Sequence, residues 1–234
     1  MLRKFHKIVF LTGAGISAES GLATFRDPSG LWNNYDAEIV ASLRGLQSNP
    51  TLVHQFYNEL RKQMALAQPN QAHCALTYLQ QNSSADIHVI TQNIDTLHEK
   101  AHSQNVWHIH GQINQLRCVK CGKITETWLL WTEHCLCYSC HGKLRPNIVF
   151  FGEEIFFSSQ IERLLALADL FVAVGTSGTI PPASSFVQDV RKHSGFTVAL
   201  NLEKPANYRD FDIVINGKVS KILPSFIQKL LSYQ

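Results

Sequence analysis

Ile8-Val9-Phe10-Leu11-Thr12-Gly13-Ala14-Gly15-Ile16-Ser17-Ala18 passes from an apolar, partly β-branched run through two glycines into residues suited to a helix. A short buried strand that turns at once into a helix is the opening unit of an α/β fold. Gly13, Gly15 and Ala18 satisfy G-x-G-x-x-A, in which the turn exposes backbone N–H groups at a helix start to a pyrophosphate. Such a turn also needs glycine for steric reasons alone, so both readings stand for the motif by itself. A dehydrogenase would place a second strand ending in Asp or Glu about 20 residues on. Here residues 21–32 form a Gly- and Pro-containing stretch without strand character, the kind of loop that covers a ligand.

Working outward, similar apolar runs stand at 87–91, 170–174, 196–200 and 212–215, and an extended run at 106–110. Helical patterns over 70–81, 96–101, 158–168, 183–192 and 220–231 fall between most of them. Alternating strand and helix with nearly continuous apolar strands predicts an α/β fold with a doubly wound, parallel, Rossmann-like sheet. Two stretches break the alternation. Residues 29–68 hold a loop and helical periodicity, and residues 112–145 carry cysteines. Both are expected to form a smaller helical and zinc-binding lobe, inserted into a discontinuous large domain of residues 1–28, 69–111 and 146–234.

Cys118, Cys121, Cys137 and Cys140 form two Cys-x-x-Cys pairs fifteen residues apart. That is the spacing of a four-thiolate structural zinc site, each pair making one tight turn around the ion. Cys135 also lies close to Cys137, and the two-residue spacing favours Cys137 as the partner of Cys140. Cys74, inside a helical pattern, reads as a small buried hydrophobe.

The expected strand ends collect polar groups. Gln92-Asn93-Ile94-Asp95 follows the second strand, Gly175-Thr176-Ser177 the next, and Asn201-Leu202-Glu203 the one after. Ligands in open α/β sheets bind at these carboxyl ends, where amides and a carboxylate can hold a ribose and a carboxamide. Asp95 or Asn93 can equally cap the helix near Thr96. His110 closes the run 106–110 and has the side chain best suited to take a proton near neutral pH, while His108 shares its face by strand alternation.

The bulk composition excludes little. A chain of 234 residues, 45% hydrophobic with a net charge of +3, can bury a substantial core but carries no charge excess that demands nucleic acid. No apolar run approaches the roughly 20 residues that span a bilayer. The basic start Arg3-Lys4 precedes an apolar run too short for a signal peptide, and unbridged thiols suit a reducing compartment, so a cytoplasmic protein is expected.

Taken in order, these strings resemble the sirtuins, the NAD-dependent protein lysine deacylases. The resemblance rests on Gly13-Ala14-Gly15-Ile16-Ser17, Phe25-Arg26-Asp27, Gly30-Leu31-Trp32, Thr91-Gln92-Asn93-Ile94-Asp95, His110-Gly111, the four cysteines, Val149-Phe150-Phe151-Gly152-Glu153, Gly175-Thr176-Ser177 and Asn201-Leu202-Glu203. It implies NAD and zinc as cofactors and an acyl-lysine protein or peptide as partner, with neither nucleic acid nor membrane; a monomer is expected. Gly13, Ala14, Gly15, Ile16, Phe25, Arg26 and Trp32 would line the phosphate and nicotinamide-ribose part of the NAD site. Gln92, Asn93, Ile94 and Asp95 would hold ribose and carboxamide, with Asn93 and Asp95 sharing in catalysis. Gly175, Thr176, Ser177, Asn201, Leu202, Glu203 and Val219 would take the adenosine half. His110 would be the base, and Val149, Phe150, Phe151 and Gly152 would pair with substrate as a strand. The chemistry implied is departure of nicotinamide, capture of the ribose carbon by the acyl carbonyl oxygen, and activation of a ribose hydroxyl by His110. A hydride-transferring oxidoreductase and a zinc-containing nucleic-acid module are the readings from other classes.

The subclass that removes acidic acyl groups carries Tyr-x-x-Arg and a small alanine. Ala37 and Tyr57 match, but Leu60 stands where the arginine would be. Residues i and i+3 share a helix face, whereas Arg61 lies about 100° further round. Deacetylation or removal of a longer apolar acyl chain is therefore expected ahead of desuccinylation or demalonylation.

Overall fold

The structure, a computed structural model, describes residues 4–24, 35–132 and 134–232. Phe25, Arg26 and Trp32 therefore lie outside the described residues. Strand β1 (Lys7–Thr12) leads through Gly13 into the single turn α1 (Ala14–Ser17) and a 3-10 turn, Ala18–Ser20. Three helices follow: α2 (Ala37–Val40), α3 (Leu43–Ser48) and the long α4 (Pro50–Leu66). Asp36, Ser42 and Asn49 cap them, each side-chain oxygen accepting a first-turn N–H. Then come α5 (Gln71–Asn82), β2 (Asp86–Thr91), α6 (Leu97–Lys100) and β3 (Val106–His108). Next are β4 (Gly111–Cys118), β5 (Ile124–Glu126) and β6 (Leu144–Ile148). The chain closes with α7 (Ser158–Leu167), β7 (Leu170–Val174), α8 (Phe186–Lys192), β8 (Phe196–Asn201), β9 (Ile213–Asn216) and α9 (Val219–Leu231).

Six strands make one parallel sheet in the order β3-β2-β1-β7-β8-β9. The strand order reverses between β1 and β7, the switch point at which doubly wound sheets bind ligands. Alternation along β1 divides the core: Ile8 and Phe10 pack against α5 and α9, whereas Val9 and Leu11 pack against α7 and α8. A second, antiparallel sheet, β5-β4-β6, carries the cysteine segment. α4 packs on it through Val53, Phe56, Tyr57 and Leu60 against Ile113, Ile148 and Phe150.

Two sequence expectations change here. The extended run at 106–110 ends as strand at His108, because Gly111 takes a left-handed φ of +86° and turns the chain into β4. His108 and His110 thus do not share one strand face. Cys74 is exposed rather than buried, since α5 directs Ala72, His73, Ala75, Leu76 and Leu79 inward and leaves position 74 on the opposite side.

His73 and His98 sit buried with ring centroids 5.1 Å apart, and the Thr12 hydroxyl lies 3.0 Å from His98 Nε2. Burial pushes His73 down to about 4 and His98 well below the ordinary value of 6.5. The unfolded chain consequently binds more protons below pH 6.5. Stability from these groups is complete above that pH and is lost as pH falls toward 4. At pH 5 His73 alone should remove about 2 kcal/mol. Urea midpoints at pH 7 and pH 5 check this, and an unchanged midpoint contradicts it.

Candidate active site and metal centre

The carboxyl ends of β1, β2, β7 and β8 open into one cleft of about 1160 Å³. Its wall runs from Asn201, Leu202, Glu203 and Val219, through Gly175, Thr176 and Ser177, to Gly13, Ala14 and Gly15 at the switch point. It continues past Gln92, Asn93, Ile94, Asp95 and His110 to Val149, Phe150, Phe151 and Gly152, and reaches Tyr57 and Leu60. Two loops meet at the switch point with almost no clearance. A Cβ on Gly15 would stand 2.7 Å from Gly175 Cα, and Gly175 itself has φ of +63°.

The glycine loop is used differently from the expectation. The Gly13 and Gly15 N–H groups are not offered to the cleft but donate to the Val174 and Gly175 carbonyls at 3.0 and 2.8 Å. Close docking of two loops consumes these donors. Ile16 points into the main core and does not line the cleft. Ala37 begins α2, and Ala41, one turn on, is the helix residue that faces the cleft.

Below the loop lies a buried polar knot. The Ser17 hydroxyl donates to Asp95 Oδ2 at 2.8 Å, and Asn93 Nδ2 donates to Ser17 Oγ at 3.1 Å and to the Gly13 carbonyl at 3.2 Å. Asp95 Oδ1 also accepts the Leu97 N–H at 3.0 Å, so the helix-end and cleft readings of this carboxylate coexist. Burial raises the Asp95 pKa against the opposing pull of the Leu97 amide and the Ser17 hydroxyl. Ser17 is the member of this site that motif reading passed over; its signal was a hydroxyl one turn past the glycines.

His110 and His108 separate sharply. His110 Nδ1 lies 2.9 Å from the Gln92 carbonyl, which can only accept, so the proton sits on Nδ1 and the lone pair on Nε2. Burial lowers its pKa, and the Gln92 bond offsets this only in part. His108 is 2.9 Å from the Asn93 carbonyl through Nδ1 and 2.8 Å from Glu99 through Nε2. Burial opposes its protonation, but the Glu99 partnership prevails and raises its pKa. With both nitrogens bonded to acceptors, His108 has no lone pair to take a proton.

Segment 149–152 is tied down from inside. Val149 N donates to the His110 carbonyl, Phe150 N to Glu153 Oε2 and Phe151 N to the Ala41 carbonyl. Glu153 is clamped in turn by two Arg145 bonds of 2.8 Å each, and although burial raises its pKa the Arg145 bonds hold it low.

The four sulfurs of Cys118, Cys121, Cys137 and Cys140 gather within 4.8 Å of one another. Cys118 and Cys140 are 3.4 Å apart and Cys121 and Cys137 3.8 Å. Four thiolates at about 2.3 Å from one zinc stand roughly 3.8 Å from each other, so the cluster fits the ion. Gly142 makes room for it, because a Cβ there would come 2.9 Å from Cys118 Sγ. Cys137 rather than Cys135 completes the set. Four ligands leave no open position for chemistry.

The Sir2 family model matches residues 13–182. An NAD-dependent protein deacylase of Pasteurella multocida is 43% identical over 229 residues, covering 96% of this chain and 98% of that protein. A Sir2 homologue mutant in complex with ADP-ribose superposes with a TM-score of 0.91 at 32% identity, covering all of this chain and 96% of the other. A Sir2 homologue–NAD complex gives 0.89 at 33% identity over 97% of this chain and 90% of the other. The chain belongs to the Sir2 family.

Because structural zinc binding is folding free energy, the native protein should carry one zinc per chain by elemental analysis. A Cys118→Ser, Cys121→Ser variant should lose it together with a substantial part of its thermal stability. Metal-free native protein, or a variant of unchanged Tm, contradicts the assignment.

Proposed function

We propose that this chain is an NAD-dependent protein lysine deacylase that transfers the acyl group of an acyl-lysine to ADP-ribose, freeing the lysine and nicotinamide. The observation that carries this reading is the tautomer of His110, with the Nε2 lone pair on the wall of the cleft formed at the sheet's switch point. Its support is also the naming of the Pasteurella relative as a protein deacylase.

In this reading Ala14 and Gly15, with Phe25, Arg26 and Trp32 on the strength of the sequence, take the phosphates and the nicotinamide ribose. Gln92, Asn93, Ile94 and Asp95 hold ribose and carboxamide, and Gly175, Thr176, Ser177, Asn201, Leu202, Glu203 and Val219 the adenosine half. When bound, NAD supplies an electrophilic ribose carbon that loses nicotinamide and accepts the acyl carbonyl oxygen. His110 Nε2 then removes a proton from a ribose hydroxyl, while Nδ1–H stays on the Gln92 carbonyl and steadies the imidazolium that forms. Asp95 and Asn93, held by Ser17, orient the polar groups around that step. The peptide backbone meets segment 149–152 through its carbonyls and the Gly152 amide, the other three amides being engaged within the chain.

Zinc in the four-thiolate site holds the cysteine segment together and takes no part in the chemistry. We also assign residues 29–68 and 112–145 to a smaller lobe, supported by the packing of α4 on β4 and β6. Among the described residues no helix is long and apolar enough to cross a membrane. Free thiolates persist in a reducing compartment, which is why we place the enzyme in the cytoplasm.

His110→Ala should lower kcat by about 10²–10⁴ while NAD affinity, read by calorimetry, changes little. Retention of more than about a tenth of native kcat would remove His110 from this role. Since the neutral ring is the active form and its pKa is depressed, kcat/KM should fall only below pH 6.5; an acid limb centred above pH 7 contradicts the assignment.

A further inference from the structure

Resting on the deacylase reading, the end of the cleft at α4 says which acyl group is taken. Tyr57 is 1% exposed, lines the cleft, and its hydroxyl is buried without a hydrogen-bond partner. A phenol buried this deeply normally finds a partner, because an unmet donor retains its full desolvation penalty. The ring itself is held firmly, edge-on to Phe56 at 5.1 Å and stacked on Phe150 at 5.9 Å. Around it the wall is apolar: Leu60 and Met64 follow on the same helix face, with Leu22 and Ile94 opposite in the lining.

Nothing cationic serves this end. Arg61, next to Leu60, is turned away from the cleft, its Nε on the Ile113 carbonyl at 3.1 Å and its Nη1 on Asn58 Oδ1 at 2.7 Å. Arg145 is committed to Glu153 through both of its terminal nitrogens. Among the described residues the sole cation lining the cleft is Lys218, at the start of α9 on the β8 side. An acyl chain ending in carboxylate would leave that charge desolvated and unpaired, which is strongly unfavourable. A plain alkyl chain would fill the wall but leave the Tyr57 hydroxyl unmet.

We infer that this cleft selects an uncharged acyl chain of about four carbons that carries an acceptor oxygen, the chemistry of a hydroxyacyl-lysine, and that Tyr57 is the residue that selects it. The hydroxyl donates to the acyl oxygen, and Leu60 and Met64 cover the carbon chain.

The test is kcat/KM with saturating NAD on one peptide whose lysine bears acetyl, butyryl, 3-hydroxybutyryl or succinyl. The last three are of similar length and differ in polarity and charge. The hydroxybutyryl peptide should exceed the butyryl one by about two- to tenfold, the worth of a neutral hydrogen bond. The succinyl peptide should fall about a hundredfold or more below hydroxybutyryl. In Tyr57→Phe the hydroxybutyryl-to-butyryl ratio should drop to about one, with Tm equal to or above native because an unmet polar group has been removed. Hydroxybutyryl no better than butyryl, succinyl equal to either, or a Tyr57→Phe ratio unchanged from native overturns the inference while acetyl turnover leaves the deacylase reading intact. No nicotinamide release from any of the four peptides overturns both.

Discussion

The Ser17 hydroxyl, placed between Asn93 Nδ2 and Asp95 Oδ2, joins the two loops on which the cleft depends. It comes from the first turn after β1, and its partners come from the loop after β2, so one small side chain fixes the relative height of two neighbouring strand ends. Asn93 extends the link to the Gly13 carbonyl, and the Asn93 carbonyl rests on His108, itself paired with Glu99. Every member is buried apart from the partly exposed Glu99, and loss of any one leaves the others short of a partner, at a cost of about 1–3 kcal/mol each. Gln92 precedes Asn93, so the same knot sets the carbonyl that determines the His110 tautomer.

The second sheet acts on the cleft through α4. Asn58 donates to the Trp131 carbonyl and Arg61 to the Ile113 carbonyl, which binds one side of the helix to β4 and the cysteine segment. The opposite choice of residue on the neighbouring face, Tyr57 and Leu60, is thereby presented to the cleft. A metal site with no chemistry of its own thus bears on specificity by fixing the rotation of a helix, burial of the Arg61 guanidinium, lowered to about 10 yet still charged at neutral pH, being tolerated because the helix is locked there.

The parallel sheet was legible because its strands are buried on both faces and read as short apolar runs; β1, β2, β7, β8 and β9 fall within a residue or so of expectation. The cysteine set was legible because metal geometry forces its spacing. Periodicity failed where a single residue bends the chain, as at Gly111, and where a face had to be chosen within a helix, as at Cys74. Motif reading also placed the Gly13 and Gly15 amides in the cleft, although docking against β7 occupies them. Long-range pairing is not written in local pattern. His108 and His110 look equivalent in sequence, and only their partners, Glu99 and the Gln92 carbonyl, tell a charged strut from a neutral base.

The most direct measurement is mass spectrometry of a reaction containing the zinc-loaded protein, NAD and a peptide with one acyl-lysine. Unmodified lysine peptide, nicotinamide and O-acyl-ADP-ribose should accumulate in equal amounts, with the acyl mass recovered on the ADP-ribose. Free carboxylic acid in place of O-acyl-ADP-ribose, or reduced NAD as a product, would contradict acyl transfer in this cleft.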